Sequence, residues 1–374
     1  MRKLKVVQKY LLLLFILAIL LACGEPEVAA PALEESQTAF ETILIENPVS
    51  MGDRKFGIGL TEGKEGFGTA FMAAQQAGIQ TVEVSLSWDM IEIAPGEFID
   101  PNGYLSAIGF YGENDVDVIL SLAVINTSQR TTPDHLDDLA FDDPQLIEAF
   151  NNMVDWVIAN AARGVTLSAI AIGNEVDLFL RDEAEWEAYT AFFEATSTHM
   201  QNHHPDIEVG VKVTVMESIL GPNLEWAQRI NQFSTVVMVN DYPQNEKFEV
   251  LPPEAIHEHF QHVVDAFPGR ELWMTEVGYQ SGSEHCKSSE AMQAVFYHEM
   301  FSAWDEQPQI KLVMSVWLHD IPQKQVREYE KYYASSHPAF VEYLSTLGLR
   351  NYDHTDKAAW QQVLAETAAR GWTD

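Results

Sequence analysis

Cysteine is nearly missing from this chain: 374 residues hold two, Cys23 and Cys286. The first follows a long apolar run at the N-terminus; with Cys23 consumed by acylation, Cys286 is left alone and an intramolecular disulfide is excluded. A chain this long can instead be held by a hydrophobic core. Basic side chains are scarce as well, 22 against 56 acidic ones, for a formal net charge of −34. Such a surface repels phosphate backbones, so nucleic acid is excluded as a partner, while a neutral or cationic ligand is not. A dinucleotide-binding loop is also lacking, because "GLTEGKEGFG" (59–68) does not have the required glycine spacing. What is present is globular composition, 47% hydrophobic and 21% charged, which fits neither disorder nor a polytopic membrane protein.

The one long apolar run is at the N-terminus. Arg2, Lys3, Lys5 and Lys9 precede an apolar stretch from Tyr10 to Ala22, the pattern of a secretory signal. Its end, Leu20-Leu21-Ala22-Cys23, resembles the bacterial lipobox, in which the cysteine is acylated and becomes the first residue. Residues 1–22 are therefore expected to be a lipoprotein signal peptide. Residues 23–50, rich in Pro, Glu, Ala and Ser, are expected to be a lipidated tether holding a single folded domain, residues 51–374, off a membrane. The expected location is the bacterial cell envelope, on the outer membrane, with the domain periplasmic or surface-exposed.

From Lys55 on, eight short β-type runs alternate with longer amphipathic segments. The runs are 56–60, 81–86, 116–124, 167–173, 207–215, 235–239, 271–275 and 311–317. Asp143-Pro144 reads as an N-cap followed by proline at the first helical position, with Leu146, Ile147, Phe150, Val154 and Val157 on one helical face. Eight β-then-α units over this length give an α/β fold, a (β/α)8 TIM barrel, in preference to a doubly wound open sheet.

In such barrels chemistry sits where the strands end. The fourth run, "AIAIGNEVDLF", ends in Asn174 and Glu175, and counting by twos puts Glu175 with Ala169, Ala171 and Gly173 on the barrel side. The seventh, "ELWMTEVGYQ", ends in Glu276, which the same count groups with Leu272 and Met274. Two carboxyls across a cleft suit glycosidic bond cleavage, in which one protonates the leaving oxygen and the other attacks or activates water.

"GNE" and "TEVGY" at these two strand ends resemble the clan A glycoside hydrolases, retaining enzymes on this barrel. "WDMIEIAPGEF" (88–98), "VNDYP" (239–243), "SVWLHD" (315–320), "GLR" (348–350) and "DKAAW" (356–360) extend the likeness over residues 55–362. Val176 stands where many clan members have proline, a form similar to the family 53 endo-β-1,4-galactanases, and the motif style is closest to family 53-like and family 5-like enzymes. No arginine matches the one that families 2 and 5 place beside the nucleophile. The resemblance implies a retaining, two-glutamate glycosidase acting on β-linked polysaccharide or oligosaccharide. Glu175 would be the acid/base and Glu276 the nucleophile, with Tyr242 bonded to it. Asn174 would hold the sugar 2-hydroxyl and Trp317 would stack on the ring. Trp88 is a second stacking candidate, and His319 a further binding residue.

Other signals carry less. "HEHFQH" (257–262) reads as a solvated helix face, and His203-His204 as a helix C-terminus, where histidine suits the dipole. The first completes no known metal-ligand spacing; no metal and no cofactor are expected, and the protein should be a monomer. Cys286 has no base or oxyanion donors in sequence to make it a nucleophile. The rival to catalysis is a carbohydrate-binding envelope lipoprotein on the same barrel, whose expected mark is the loss of one glutamate. A metal-dependent hydrolase would need His and Asp at several strand ends.

Overall fold

The computed structural model describes residues 41–373. The expected signal peptide, Cys23 and most of the tether lie outside the described residues. Among those described, no helix is long and apolar enough to cross a membrane.

Eight parallel strands close a barrel. They are β1 (Lys55–Ile58), β2 (Thr81–Ser87), β3 (Asp117–Asn126), β4 (Leu167–Asn174), β5 (Glu208–Gly210 with Lys212–Thr214), β6 (Val237–Asp241), β7 (Leu272–Val277) and β8 (Ile310–Ser315). Closure falls at two points. β1 pairs with β8, and β5 pairs with β4 through its first half and with β6 through its second, the change falling at Val211. Each expected run overlaps its strand, with ends that differ by no more than two residues.

The outer ring comprises α1 (Phe67–Gln76), α2 (Pro144–Asn160), α3 (Glu183–His203), α4 (Leu224–Ile230), α5 (Ala255–Ala266) and α6 (Glu290–Glu306). Two further helices, α7 (Gln323–Tyr332) and α8 (Pro338–Ser345), follow β8, and α9 (Ala358–Arg370) completes the ring. Asp143 caps α2 as expected, accepting from the Gln145 N–H at 2.8 Å with Pro144 in the first turn. Before residue 51 the chain already touches the barrel, since the Ile43 N–H donates to Gln362 of α9 at 2.8 Å.

Two apolar layers result from the strand pleat. Ile170, Ile172, Leu272 and Met274 join the large core between strands and helices. A small inner core holds Ile119, Ala169, Ala171, Met238, Trp273 and Met314. Two alanines on β4 leave room for the indole and two thioethers, which lets side chains fill the barrel rather than leave a pore.

Candidate active site

Above the inner core the barrel opens into a cleft of about 1860 Å³. Asn174, Glu175, Tyr242, Glu276 and Trp317 all line it. The structure therefore brings five of the seven expected site residues together.

Simple alternation does not put the glutamates there. On β7 the inward residue is Trp273, while Leu272 and Met274 face the helices, so the expected grouping of Glu276 with those two is wrong. Glu276 reaches the cleft because the β6–β7 register slips: Val239 faces Met274 but Asn240 faces Glu276, leaving Thr275 as an extra residue. Such a bulge re-aims the chain, and Thr275 and Glu276 both line the cleft. On β4 alternation holds through Ala171 and then fails at Gly173, where φ is +85°. A Cβ at Gly173 would lie 2.4 Å from the Tyr189 hydroxyl of α3, so only glycine fits. Glu175 itself sits in the left-handed region at φ 48°, and Asn174 and Glu175 turn into the cleft together.

Glu276 is held from both sides. The Tyr242 hydroxyl donates to one carboxylate oxygen at 2.6 Å, and the Lys212 ammonium donates to the other at 3.2 Å. Lys212 is 0% exposed and also bonds Glu83 of β2. Burial opposes its charge, but the two carboxylates outweigh burial and raise its pKa, so the ammonium persists. Burial pushes Glu83 upward against the pull of Lys212.

Among the described residues, Glu175 bonds neutral partners and pairs with no cation. Thr127, just past β3, donates to it at 3.1 Å, and the Asn240 amide donates at 3.3 Å. Asn240 is oriented in turn by the Thr275 hydroxyl, 2.9 Å from its Oδ1. Burial, and then the charge of Glu276, raise the Glu175 pKa to about 8, so the carboxyl carries a proton at neutral pH. The Asn174 amide donates to Asn126 at 3.2 Å and accepts from Asn240 at 3.4 Å. Below them Asp177, a buried carboxyl, accepts from the Thr214 backbone, its hydroxyl and Ser218 at 3.0, 2.7 and 2.8 Å, tying the β4 loop to the end of β5.

One wall is aromatic. Trp317 stacks on Tyr329 with ring centroids 6.0 Å apart, and Tyr343 meets Tyr242 edge-on at 5.9 Å. Tyr332 donates to the Asn126 carbonyl at 2.8 Å, so α7 bridges from β8 across to the β3 loop.

Two expected binding residues lie elsewhere. Trp88 is fully buried, donating to Glu92 at 2.8 Å and packing edge-on against Phe150 of α2. His319 is likewise buried, bonded to the Thr61 carbonyl at 2.9 Å beneath the β1 loop. Each supports a loop and touches no part of the cleft. The "HEHFQH" segment also departs from a solvated face: His259 is buried and bonds Asp241, the residue before Tyr242, at 3.0 Å. Cys286 is buried, which with the nearby Glu342 pushes its thiol up to about 12. A thiol held that high is a poor nucleophile.

Lys212, Glu83, Asn240, Thr127 and Asn126 were not foreseen. For the first two a signal existed, since each is a charged residue in the middle of an apolar strand, "VGVKVTV" and "TVEVSL".

No family model matches the chain, and no curated protein does. Solved structures do. The exo-β-1,4-mannosidase Op5Man5 from Opitutaceae bacterium strain TAV5 is similar with a TM-score of 0.66 at 16% identity, over 85% of this chain and 59% of that one. A GH5_18 protein from Streptomyces cattleya, solved in complex with Manβ1-4GlcNAc, gives 0.65 at 16% identity, over 86% of this chain and 82% of that one. A family 39 glycoside hydrolase from Bacteroides cellulosilyticus WH2 gives 0.59 at 12% identity, over 86% and 65%. This chain thus spans less than two thirds of the length of the first and third. The likeness is one of fold, the (β/α)8 barrel that these glycoside hydrolases share.

Proposed function

We propose that the protein is a retaining glycosidase that cleaves β-glycosidic bonds of an oligosaccharide or polysaccharide. One observation carries the reading. Two carboxyls share one cleft in opposite environments: Glu175 is half-buried, bonded only to neutral groups among the described residues and raised to about 8, while Glu276 is bonded to a buried ammonium and a phenol. Environments that separate two carboxyls in this way assign the acid and the nucleophile.

In the first step a Glu276 oxygen bonds the anomeric carbon as the bond to the leaving oxygen breaks. Glu175 gives that oxygen its proton and becomes a carboxylate. In the second step Glu175 takes a proton from water, the hydroxide oxygen bonds the anomeric carbon, and the ester to Glu276 breaks. Lys212 and Tyr242 fix Glu276 for attack. On this reading Asn174 bonds the sugar 2-hydroxyl and Trp317 stacks on the ring, both residues lining the cleft.

The Manβ1-4GlcNAc bound by the Streptomyces cattleya protein makes β-mannosides the first substrates to try. The N-terminal signal, outside the described residues, supports attachment at Cys23 to the cell envelope. Turnover of aryl β-glycosides by wild type, Glu175→Ala and Glu276→Ala tests the reading. Wild type should turn over and both variants should lose most activity, whereas equal rates in all three would reject the mechanism.

A further inference from the structure

On the outside of the barrel, away from the cleft, three potential metal ligands meet. Asp155 projects from α2, His199 from the last turns of α3, and His204 is the residue at which α3 ends. The Nε2 atoms of both imidazoles lie on the same carboxylate oxygen of Asp155, at 2.9 Å for His199 and 2.8 Å for His204. The three ligand atoms all fall within 4.8 Å of one another. Ligands at ~2.0–2.2 Å around a tetrahedral ion lie ~3.3–3.6 Å apart, so a small adjustment of side chains accommodates one.

From this geometry we infer that Asp155, His199 and His204 form a binding site for a divalent metal of the zinc class. Two imidazoles and one carboxylate are a donor set that such an ion takes, with a water in the fourth position.

Three features favour an ion here over a simple ion pair. Both histidines spend their Nε2 atoms on one oxygen, which a single cation could replace while bonding all three groups. The site lies at the C-terminus of α3, where the helix dipole favours a positive charge. The chain as a whole carries −34, which draws cations to its surface. Side-chain exposures of 20% for His199 and 22% for His204 leave the site open for an ion to enter. The sequence hid the site because Asp155 is 44 residues from His199 and the histidines look like a plain helix end.

The role follows from position. α2 leads into β4 and α3 follows it, so an ion at this point would pin together the two helices that flank the strand ending just before Glu175. It would be a clamp on the fold and would leave turnover unchanged.

The test uses the purified protein, stripped with chelator and carrying no histidine tag, in equilibrium dialysis against zinc chloride. Wild type should bind one equivalent that His199→Ala/His204→Ala lacks. Cobalt(II) should show tetrahedral d–d absorption in wild type only. At zinc 100-fold above Kd, the folding equilibrium of wild type should rise about 100-fold, seen as a higher Tm, with no rise in the double variant. Should the double variant fail to fold, Asp155→Asn and His204→Ala singly serve, each expected to weaken zinc at least ~10-fold. No stoichiometric zinc on wild type, or an unchanged equivalent in the folded variants, would overturn the assignment.

Discussion

Replacing Glu175 with glutamine should make the protein more stable at alkaline pH while nearly abolishing its chemistry. The carboxyl titrates at about 8 in the folded protein, against an ordinary value of 4.5. A folded-state pKa raised above the unfolded one means that the proton favours folding. Its contribution is complete below about pH 4.5 and is lost progressively as pH climbs through about 8. At ~1.36 kcal/mol for each pH unit the full span is roughly 5 kcal/mol, and water at the cleft mouth screens part of it. Glutamine keeps the size and cannot ionise, so the variant escapes that loss. Urea unfolding of both proteins from about pH 4.5 to about 9 should show a stability gap that opens in the variant's favour with rising pH and levels off above about 8. Activity on substrates with poor leaving groups should fall ~10²–10⁴-fold, the usual worth of a general acid. A gap that stays flat across this range would refute the burial and charge argument.

Three further outcomes follow from the same geometry. Lys212→Met leaves Glu83 and Glu276 without their cation and should cost about 3–5 kcal/mol in urea unfolding, with Glu83→Gln added to it restoring part of the loss. Tyr242→Phe removes a hydrogen bond to a carboxylate worth about 1.5–3 kcal/mol, so kcat on aryl glycosides should drop ~10–100-fold with KM little changed. Gly173→Ala must force a Cβ into the Tyr189 hydroxyl 2.4 Å away, on a backbone at φ +85°, and should lower the Tm markedly by calorimetry.

The barrel was legible in the sequence because eight buried strands must be written in apolar residues, and the α2 cap because Asp143-Pro144 has few other uses. The two glutamates were legible as strand-end acids, but strand alternation is not what aims them. Glu276 is aimed by a bulge at Thr275 and Glu175 by the turn at Gly173, and neither irregularity can be counted by twos. Trp88 and His319 sit beside motifs that line the cleft, yet their own side chains point beneath the loops, and sequence adjacency does not distinguish the two. Lys212 and Glu83 are far apart in the chain and meet only when the barrel closes. The aromatic wall of α7 and α8 belongs to a segment after β8 whose direction over the cleft is set by the contact of Tyr332 with Asn126.

Opposite roles for the two carboxyls are tested most directly by azide rescue with an activated aryl β-glycoside, reading the anomer of the glycosyl azide by proton NMR. Glu175→Ala should still form the ester on Glu276 and release the β-azide. Glu276→Ala should accept azide in the nucleophile's place and release the α-azide. The same anomer from both variants, or no azide adduct from either, would contradict the assignment.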